Sequence, residues 1–387
     1  MPCWIRRCAC HSLLKKCIKK YFEMMDSMFE DGSRTPLEEY GEFGLIELLT
    51  RNIRLKNSGS LCGVGDDAAI LDAAGRLQVV TKDLLAEGVH FDLTYCPLKH
   101  LGYKAIAVNL SDIAAMNALP EQVLVGIAVS SRFTVEAVEE IYAGIRLCCE
   151  RYGVDLVGGD TVSSQSGLFI SVTALGYGEK GTLVRRNTAK AGDLICVSGD
   201  LGAAYAGLLI LEREKQVFLK DPKAQPDLEG YDYILERQLK PEPRIDVVKL
   251  MRERSVLPTA MIDISDGLAS ESMHLAKDSG LGCCLYEEKI PIDTQTYTTL
   301  TDMGLLPTTV ALNGGEDYEL LFTVRQADYD KIKDLKEIHV IGYMTAETGD
   351  YALITNDQKK IALKAQGWDA YLKHRNENRN NAGLEGA

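Results

Sequence analysis

The chain has 387 residues, with 43 Lys and Arg against 56 Asp and Glu, a net charge of −13, and 46% hydrophobic residues. This length allows one large domain or two ordinary ones with packed cores, and the composition excludes a disordered or fibrous chain. The acidic balance disfavours general nucleic-acid binding, and no apolar stretch approaches the roughly 20 residues of a membrane span. We therefore expect a globular protein that binds neither nucleic acid nor membrane.

The first 20 residues differ from the rest, because they contain six Lys or Arg, four cysteines and no acid. A secretory signal would need an apolar core that this segment lacks. We therefore interpret residues 1–40 as a disordered extension or the product of a misassigned start codon. The cysteines after residue 60 lie in apolar segments, and we interpret them as reduced thiols of a cytoplasmic protein.

Short Val, Ile and Leu runs alternate with amphipathic stretches after residue 40, a pattern typical of α/β and α+β proteins. In chain order the pattern predicts a helix over 44–50, a strand over 77–81, a helix over 98–107, a strand over 122–129, a helix over 135–152, strands over 168–175 and 194–197, helices over 202–212, 244–254 and 268–278, and a strand over 320–324. The polar segment 212–233 is predicted to be a surface excursion.

The domain organisation follows from a turn at 188–192 that separates a strand-rich half from a new strand. We predict an N-terminal domain over 41–188 and a C-terminal domain over 189–373. The apolar-poor segment 374–387 is predicted to be a disordered tail.

Aspartates that follow apolar runs and precede small residues recur in five segments: 62–70, 79–84, 108–116, 156–161 and 261–268. We expect these acids at the ends of strands. A cap or a turn would explain any single case. Five carboxylates gathered together would repel by up to ~4 kcal/mol per pair at ~4 Å and an effective dielectric of ~20, so cations must lie between them. Oxygen ligands favour Mg²⁺, which binds through carboxylates together with substrate phosphates.

Glycine-rich pieces occur at 63–65, 158–159 and 199–202, and the last precedes a predicted helix whose N-terminus favours anions. They allow close approach to phosphate oxygens, although simple turns are the more common explanation. No P-loop, protein-kinase, dinucleotide-binding, H-E-x-x-H or C-x-x-C motif is present in the sequence. The ordinary kinase and dehydrogenase architectures are therefore excluded.

Seven strings, in the same order along the chain, resemble the thiamine-monophosphate kinase family: Gly41-Glu-Phe-Gly, Val64-Gly-Asp-Asp-Ala, Thr81-Lys-Asp-Leu-Leu-Ala-Glu-Gly-Val-His-Phe, Asn109-Leu-Ser-Asp-Ile-Ala-Ala-Met, Gly158-Gly-Asp-Thr, Asp263-Ile-Ser-Asp-Gly-Leu and Asn313-Gly-Gly-Glu-Asp-Tyr-Glu-Leu. The resemblance implies an aminoimidazole-ribotide-synthetase-like α/β (α+β) fold with two domains. The N-terminal domain would hold a mixed sheet through which a homodimer forms, with ATP bound between its halves.

The resemblance also implies roles for individual residues. The ligands of several Mg²⁺ ions would be Asp67, Thr81, Asp83, Asp112, Asp160, Asp263 and Asp266, of which Asp112, Asp160 and Asp266 would act in catalysis; Asp66 ranks lower. ATP would contact Tyr142, Gly159, Asp160, Ser265 and Arg186, which we prefer to its neighbour Arg185. Thiamine monophosphate would contact His90, Glu316 and Trp368.

Several of these residues have plainer explanations that the sequence leaves open. His90 would serve equally as a loop or core residue, Tyr142 as part of a helix core, and Trp368 as a surface anchor. Glu316 follows two glycines, so a turn would explain it. Lys82 departs from the family, where a small hydroxyl residue is common; a protonated Lys cannot bind a metal, so Thr81 and Asp83 would serve alone.

The implied reaction is phosphorylation of thiamine monophosphate by ATP to give thiamine diphosphate, by direct in-line transfer. A phosphate nucleophile with a second pKa near ~6 is already ionised at neutral pH, so positioning and cations would supply the catalysis. One alternative is another ATP-dependent enzyme of the same superfamily. The other is a non-catalytic, metal-dependent nucleotide sensor.

Overall fold

The structure is a computed structural model that describes residues 48–62, 70–71 and 75–365, together with positions 35, 40, 45 and 73. The chain divides into two compact units: unit 1 comprises residues 1–109, 120–177 and 210–240, and unit 2 comprises residues 110–119, 178–209 and 241–387. The domain division predicted at residue 188 stays a prediction, and the proposed extension and tail lie outside the described residues. Within the described part of the chain, no helix is long and apolar enough to cross a membrane.

The described elements follow in chain order. The strands are β1 Ser60–Cys62, β2 Ile70–Leu71, β3 Leu77–Ala86, β4 Leu119–Ser130, β5 Asp155–Ser164, β6 Leu168–Gly178, β7 Leu194–Ser198, β8 Ala260–Asp263, β9 Gly282–Tyr286, β10 Leu320–Val324, β11 Ile338–Thr345, β12 Tyr351–Ile354 and β13 Lys360–Ala362. The helices are α1 Leu98–Ala115, α2 Val135–Tyr152, α3 Ala203–Lys220, α4 Asp232–Leu239, α5 Ile245–Glu253, α6 Leu268–Asp278, α7 Thr294–Asp302, α8 Pro307–Asn313 and α9 Tyr329–Ile332.

Unit 1 contains a four-stranded sheet in the order β3-β6-β4-β5, in which β4 and β5 run parallel. Alternate residues of its central strands, such as Val125 on β4 and Ile170 on β6, are fully buried, while their neighbours are open. This period of two is expected of a sheet with one covered face. A side chain at Gly102 of α1 would overlap the carbonyl of Ile141 on α2, so glycine lets these helices pack closely.

Unit 2 contains a seven-stranded mixed sheet in the order β13-β12-β9-β11-β7-β10-β8. The pair β12 and β9 is parallel, and the remaining neighbours in this order pair antiparallel. Its core joins the buried side chains of β7, β8 and β10 to one face of α6, as shown by Ile195, Ile262, Leu321 and Leu275. This core fixes β8, the strand that leads into the Asp263-Ile-Ser-Asp segment.

The secondary structure confirms the existence of the five predicted strands and of five of the six predicted helices, although β3, α1 and α3 extend five, eight and eight residues beyond their predicted ends. The first predicted helix, 44–50, is described only at residue 45 and at 48–50, which are helical. The surface excursion predicted at 212–233 is wrong in its first part, because α3 continues to Lys220. Apolar Val217 and Phe218 lie within this extension and line a small cavity of about 40 Å³ in unit 1, which explains why a polar segment remains helical.

Six cysteines (Cys96, Cys148, Cys149, Cys196, Cys283 and Cys284) are free and buried. Burial raises the pKa of the Cys149 and Cys283 thiols to about 12, so both stay protonated at neutral pH. This agrees with the interpretation of the described cysteines as inert core thiols. The side chain of Cys62 lies outside the described part of the structure.

Candidate active site

The expectation that the repeated aspartates end strands is wrong for three of them. Asp83 lies inside β3, Asp160 inside β5 and Asp112 on helix α1, whereas Asp263 is the last residue of β8. The helix was missed beyond residue 107 because α1 is buried on nearly all sides, so its apolar residues show no helical period. Asp266 follows β8 in a loop before α6.

The predicted ligands on β3 lie on the face of the sheet that carries α1. The N–H of Asp83 donates to Oδ1 of Asn109 (3.1 Å), and Nδ2 of Asn109 donates to the carbonyl of Ala105 one turn earlier on α1 (3.0 Å). Asn109 is fully buried. It therefore connects the Asp83 position to the helix that bears Asp112 three residues later.

Lys82 lies on the opposite, open face of this sheet. Its Nζ donates to Oγ of Ser171 on β6 (2.6 Å). Ser171 in turn faces Gly126 of β4, whose register partner on β5 is Asp160. The open face therefore carries one row across the four strands, from Lys82 at the β3 edge to Asp160 at the β5 edge.

Asp160 is consequently remote from Thr81 and Asp83 within unit 1. The strands β3 and β5 are the two edges of the sheet, three strand spacings or about 14 Å apart. Asp160 also lies on the opposite face of the sheet from Asp83. Unit 1 alone does not bring these three predicted ligands together.

At Gly159, a predicted ATP contact, the packing of the sheet leaves room only for glycine. A Cβ at Gly159 would overlap the backbone carbonyl of Val125 on the adjacent parallel strand. The glycine-rich piece at 158–159 is therefore explained by strand packing rather than by approach to a phosphate. Its contact with ATP stays a prediction, since Gly159 and Asp160 are both exposed.

His90 and Tyr142 occupy contrasting environments in unit 1. His90 is exposed, and its Nδ1 accepts the N–H of Ala86 (3.0 Å), which assigns the ring proton to Nε2 in the neutral form. Tyr142 is buried on α2, and burial raises its pKa to about 12. The structure thus places His90 in a loop and Tyr142 in the helix core; their ligand contacts stay predictions.

Unit 2 holds a group of buried carboxylates around the end of β8. Oδ2 of Asp263 accepts the hydroxyl of Ser111 on α1 (2.6 Å). Burial raises the pKa of Asp266, and the nearby Glu316 raises it further. Burial also raises the pKa of Glu271 to about 8, although its Oε1 accepts the N–H of Asp266 (3.1 Å). The raised pKa values indicate that the charged forms of Asp266 and Glu271 are poorly solvated.

The segment after α8 adopts a strained backbone beside this group. Glu316 and Tyr318 have positive φ values of 70° and 52°, a conformation that costs non-glycine residues about 1–3 kcal/mol each. The N–H of Glu316 donates to the carbonyl of Ser265 (2.8 Å), and that of Tyr318 to the carbonyl of Ile264 (2.9 Å). A side chain at Gly315 would overlap the Ser265 carbonyl, so glycine permits this contact.

The N-terminus of α3 is not open to a phosphate, which corrects the reading of the glycine-rich piece at 199–202. The N–H groups of Gly202 and Ala204 donate to the carboxylate of Asp317 (2.7 and 3.3 Å). An intramolecular carboxylate therefore occupies the position where an anion would bind. The sequence did not reveal this, because 113 residues separate Ala204 from Asp317.

The remaining predicted residues divide into exposed and undescribed ones. Ser265, Arg185 and Arg186 are exposed, and the structure does not distinguish the two arginines as ATP contacts. Asp66, Asp67 and Trp368 lie outside the described residues.

The donor set was tested for its fit to Mg²⁺. Its members are carboxylates and hydroxyls, the hard oxygen donors that Mg²⁺ prefers. The buried Oε2 of Glu271 has no hydrogen-bond partner, and the raised pKa values of Asp266 and Glu271 indicate charge that a cation would stabilise. Within the described residues, no three His, Cys, Asp or Glu side chains are close enough to hold one ion. The residues fit the metal in chemical kind, and each unit carries only part of the set.

Unit 2 contains an open groove of about 1,300 Å³. Its lining runs along β7, β11 and the 290–293 loop and includes none of the predicted site residues. Two buried residues that sequence reasoning passed over, Asn109 and Ser111, hold predicted ligands instead. Their signal was available, because both lie inside the quoted Asn109-Leu-Ser-Asp string.

Comparison with known proteins identifies the family. The model for the AIR synthase related protein, N-terminal domain, matches residues 65–177, and that for its C-terminal domain matches residues 190–354. The thiamine-monophosphate kinase of Bacillus subtilis (strain 168) is 35% identical over 337 residues, which cover 85% of this chain and 99% of the relative. That of Aquifex aeolicus (strain VF5) is 35% identical over 332 residues, covering 86% and 98%. The chain belongs to the thiamine-monophosphate kinase family.

Solved structures agree with this family and confirm the predicted two-domain α/β fold. The structure of AaThiL complexed with AMPPCP and TMP is 33% identical, with a TM-score of 0.66, and covers 88% of this chain and 100% of that chain. Thiamine-monophosphate kinase from Stenotrophomonas maltophilia K279a gives 31% identity and a TM-score of 0.67, covering 80% and 94%. The hydrogenase maturation protein HypE of E. coli, at 19% identity and a TM-score of 0.65, shares the fold.

Proposed function

We propose that this protein phosphorylates thiamine monophosphate with ATP, giving thiamine diphosphate and ADP. The observation that carries the proposal is identity of 35% over nearly the full length of thiamine-monophosphate kinases from two organisms. A relative of known structure binds an ATP analogue, AMPPCP, together with TMP.

The chemistry requires positioning more than a strong base. The nucleophile is a phosphate oxygen whose second pKa near ~6 leaves it ionised at neutral pH. The barrier comes from bringing two anionic phosphates into line, so fixed side chains that orient them supply most of the catalysis. The strands β3 and β5 and the segment after β8 carry side chains that are predicted to orient the phosphates.

The predicted ligand set assigns Mg²⁺ to Asp67, Thr81, Asp83, Asp112, Asp160, Asp263 and Asp266. Bound Mg²⁺ would neutralise charge on the phosphates as transfer proceeds. Ser111 supports this set by fixing one oxygen of Asp263. Asn109 supports it by holding the backbone of Asp83 against α1.

ATP is assigned to Gly159, Asp160, Ser265 and Arg186, all of which are exposed, and to Tyr142, which is buried on α2. Thiamine monophosphate is assigned to His90, Glu316 and Trp368. The ring of His90 is oriented by the Ala86 N–H, so Nε2 is the nitrogen available as a donor. Glu316 is held by its backbone contact with Ser265.

The homodimer is part of the proposal, because the sheet of unit 1 holds Asp83 and Asp160 at its two opposite edges. Apolar side chains lie open on the sheet face opposite α1, among them Val80, Leu84 and Phe169. A second copy seated on this face would cover them. A two-fold axis along the strands then places the β3 edge of one copy, which carries Asp83, beside the β5 edge that carries Asp160 of the partner subunit, so the two residues would share a site where these edges meet.

The first experiment incubates the full chain with Mg²⁺, ATP and thiamine monophosphate and separates the products by chromatography. We expect equal amounts of thiamine diphosphate and ADP, no product with unphosphorylated thiamine as the acceptor, and none in excess EDTA. ATP binding without ADP formation would favour the nucleotide sensor. ADP formation that ignores the thiamine substrate would favour a different enzyme of the superfamily.

The second experiment tests the shared site by complementation. The variants Asp83→Asn and Asp160→Asn are each expected to be inactive. After mixing and subunit exchange, the mixture should regain up to about a quarter of the wild-type activity, because about half of its dimers are mixed and one of the two sites in each mixed dimer contains neither substitution. No recovery between exchanging subunits would show that one copy supplies both residues.

A further inference from the structure

We propose that Asp317 is a positioning residue that couples the N-terminus of α3 to the segment carrying Ser265, Asp266 and Glu316. This inference rests on the proposed function only for the roles of those three residues. The coupling itself concerns contacts within unit 2.

The carboxylate of Asp317 is the first part of this coupling. The Asp317 residue is 2% exposed, and its two oxygens accept the N–H groups of Gly202 and Ala204. One carboxylate thus satisfies two of the amides that a helix leaves unpaired at its start. This cap comes from a segment more than 100 residues away along the chain, and it fixes the position of that segment.

The backbone on either side of Asp317 is the second part. Glu316 and Tyr318 both have positive φ, and their N–H groups donate to the carbonyls of Ser265 and Ile264. Ile264 donates back to the carbonyl of Glu319 (2.8 Å), so three backbone bonds join 316–319 to 264–265. A non-glycine residue keeps this conformation only where its surroundings dictate it.

Glu319, two residues after Asp317, also anchors this segment. Its carboxylate accepts the hydroxyl of Ser198 and contacts the guanidinium of Arg244. Asp317 therefore anchors this segment to the start of α3, and Glu319 anchors it to Ser198 and Arg244. The backbone of Glu316, by contrast, binds the carbonyl of Ser265, the residue before Asp266.

Loss of the Asp317 carboxylate should therefore destabilise the start of α3. It should also weaken the backbone hydrogen bond between Glu316 and Ser265. A cap with only a structural role would affect α3 alone. The two possibilities differ in what happens at 262–267, a segment that the backbone of 316–319 binds through Ile264 and Ser265.

The test uses hydrogen exchange measured by mass spectrometry on the full chain. Asp317→Ala should accelerate exchange at least tenfold both in peptides covering 200–206 and in peptides covering 262–267. Asp317→Asn keeps one acceptor oxygen and should give a smaller change in the same two places. The control is Asp293→Ala, which removes a side-chain cap of the same kind from α7 in the same unit and should act only near Gln295.

Kinetics provide the second readout. Asp317→Ala should lower kcat about 10–100-fold and raise KM for thiamine monophosphate, as expected for displacement of aligned groups by about 1 Å. Asp317→Asn should recover part of both, and Asp293→Ala should change neither more than twofold.

The outcomes separate this proposal from the proposed function. If Asp317→Ala and Asp317→Asn both leave exchange at 262–267 unchanged, the coupling is wrong whatever the enzyme does. If the exchange changes appear but the wild-type chain makes no thiamine diphosphate, the coupling stands and the proposed function fails. Wild-type kinetics in a chain with altered exchange would overturn the positioning role.

Discussion

The two units hold their predicted site residues under different physical conditions. In unit 1, Asp160 and His90 are exposed side chains on a sheet edge and a loop. In unit 2, Asp263 is buried, and Asp317 and Glu319 fix a strained segment against the end of β8. Surface carboxylates are solvated and tolerate substitution, whereas buried ones depend on every partner. Substitutions in unit 1 should therefore affect chemistry, and those in unit 2 should affect both chemistry and stability.

The largest expected effect concerns an exposed acid of unit 1. Asp160→Asn should lower kcat by about 10³-fold, equivalent to about 4 kcal/mol of transition-state stabilisation, because charge at the phosphates would be less well neutralised. The melting temperature should stay within about 2 °C, because Asp160 is exposed. Steady-state kinetics measure the fall in kcat, and calorimetry measures the melting temperature. Near-normal turnover at saturating Mg²⁺ would remove Asp160 from the catalytic set.

The next effect concerns a buried ion pair of unit 2. The side chains of Arg244 and Glu319 are 13% and 4% exposed, and Arg244→Met removes the guanidinium that contacts this buried carboxylate. We expect a loss of about 3–4 kcal/mol in the free energy of unfolding, measured by urea denaturation. Adding Glu319→Gln should restore part of it. Equal stability of Arg244→Met and wild type would contradict the contrast between the units.

The elements that the sequence predicted well are those with a clean local period. Strand β10 and helix α2 show alternating or helical patterns and were placed within a residue. Helix α1 was cut short and β5 was missed, because α1 is apolar on nearly all sides and β5 contains two adjacent glycines. Local propensity carries no information on which neighbouring elements bury a segment. Burial by neighbouring elements determined both the length of α1 and the strand conformation of β5.

The third effect is a pH dependence with opposite sign in the two units. Burial lowers the pKa of His100 on α1 to about 4 from 6.5, and Lys240 lowers it further while Glu236 opposes this. The unfolded chain then binds a proton that the folded chain does not, so stability falls by up to about 3 kcal/mol as the pH drops from 6.5 to 4. For Glu271 the pKa of about 8 in the folded chain lies above its ordinary value of 4.5. The folded chain therefore keeps a proton that the unfolded chain loses, and the stability that this proton contributes is lost as the pH rises from 4.5 to 8.

Variants at these two positions check the signs. His100→Leu should flatten the acid limb of a stability curve, and Glu271→Gln should flatten the limb between pH 4.5 and 8. Urea titrations with a chelator present measure both. An unchanged acid limb in His100→Leu would show that His100 is protonated in the folded chain.

The fourth effect concerns the link between β3 and α1. Asn109→Leu removes the acceptor for the Asp83 N–H and should cost about 2 kcal/mol, because a partly buried amide loses its partner. Asn313→Leu removes a similar bond to the carbonyl four residues earlier, at an exposed position on α8, and serves as the control. Denaturation compares the two. Equal losses would show that the Asp83 contact adds nothing.

How far the site itself was predictable is clear from Asp317 and Asp160. The acids were identified from strings in the sequence, but their grouping was not. Contacts such as Asp317 with Gly202 join segments 115 residues apart, and the sequence contains no local sign of them. The separation of Asp160 from Asp83 follows from strand order, which periodicity does not determine.

The smallest effect is expected for Lys82, which departs from the family pattern. Its hydrogen bond to Ser171 lies on the exposed face of the sheet, so Lys82→Ala should change the free energy of unfolding by less than about 1 kcal/mol. Because Lys82 lies on the face opposite Asp83, the Mg²⁺ concentration for half-maximal activity should stay within threefold. Leu84→Asp, on the same face, should instead disrupt the proposed dimer, as ultracentrifugation would show. A tenfold change in the Mg²⁺ requirement for Lys82→Ala would show that Lys82 borders the metal site and would contradict this prediction.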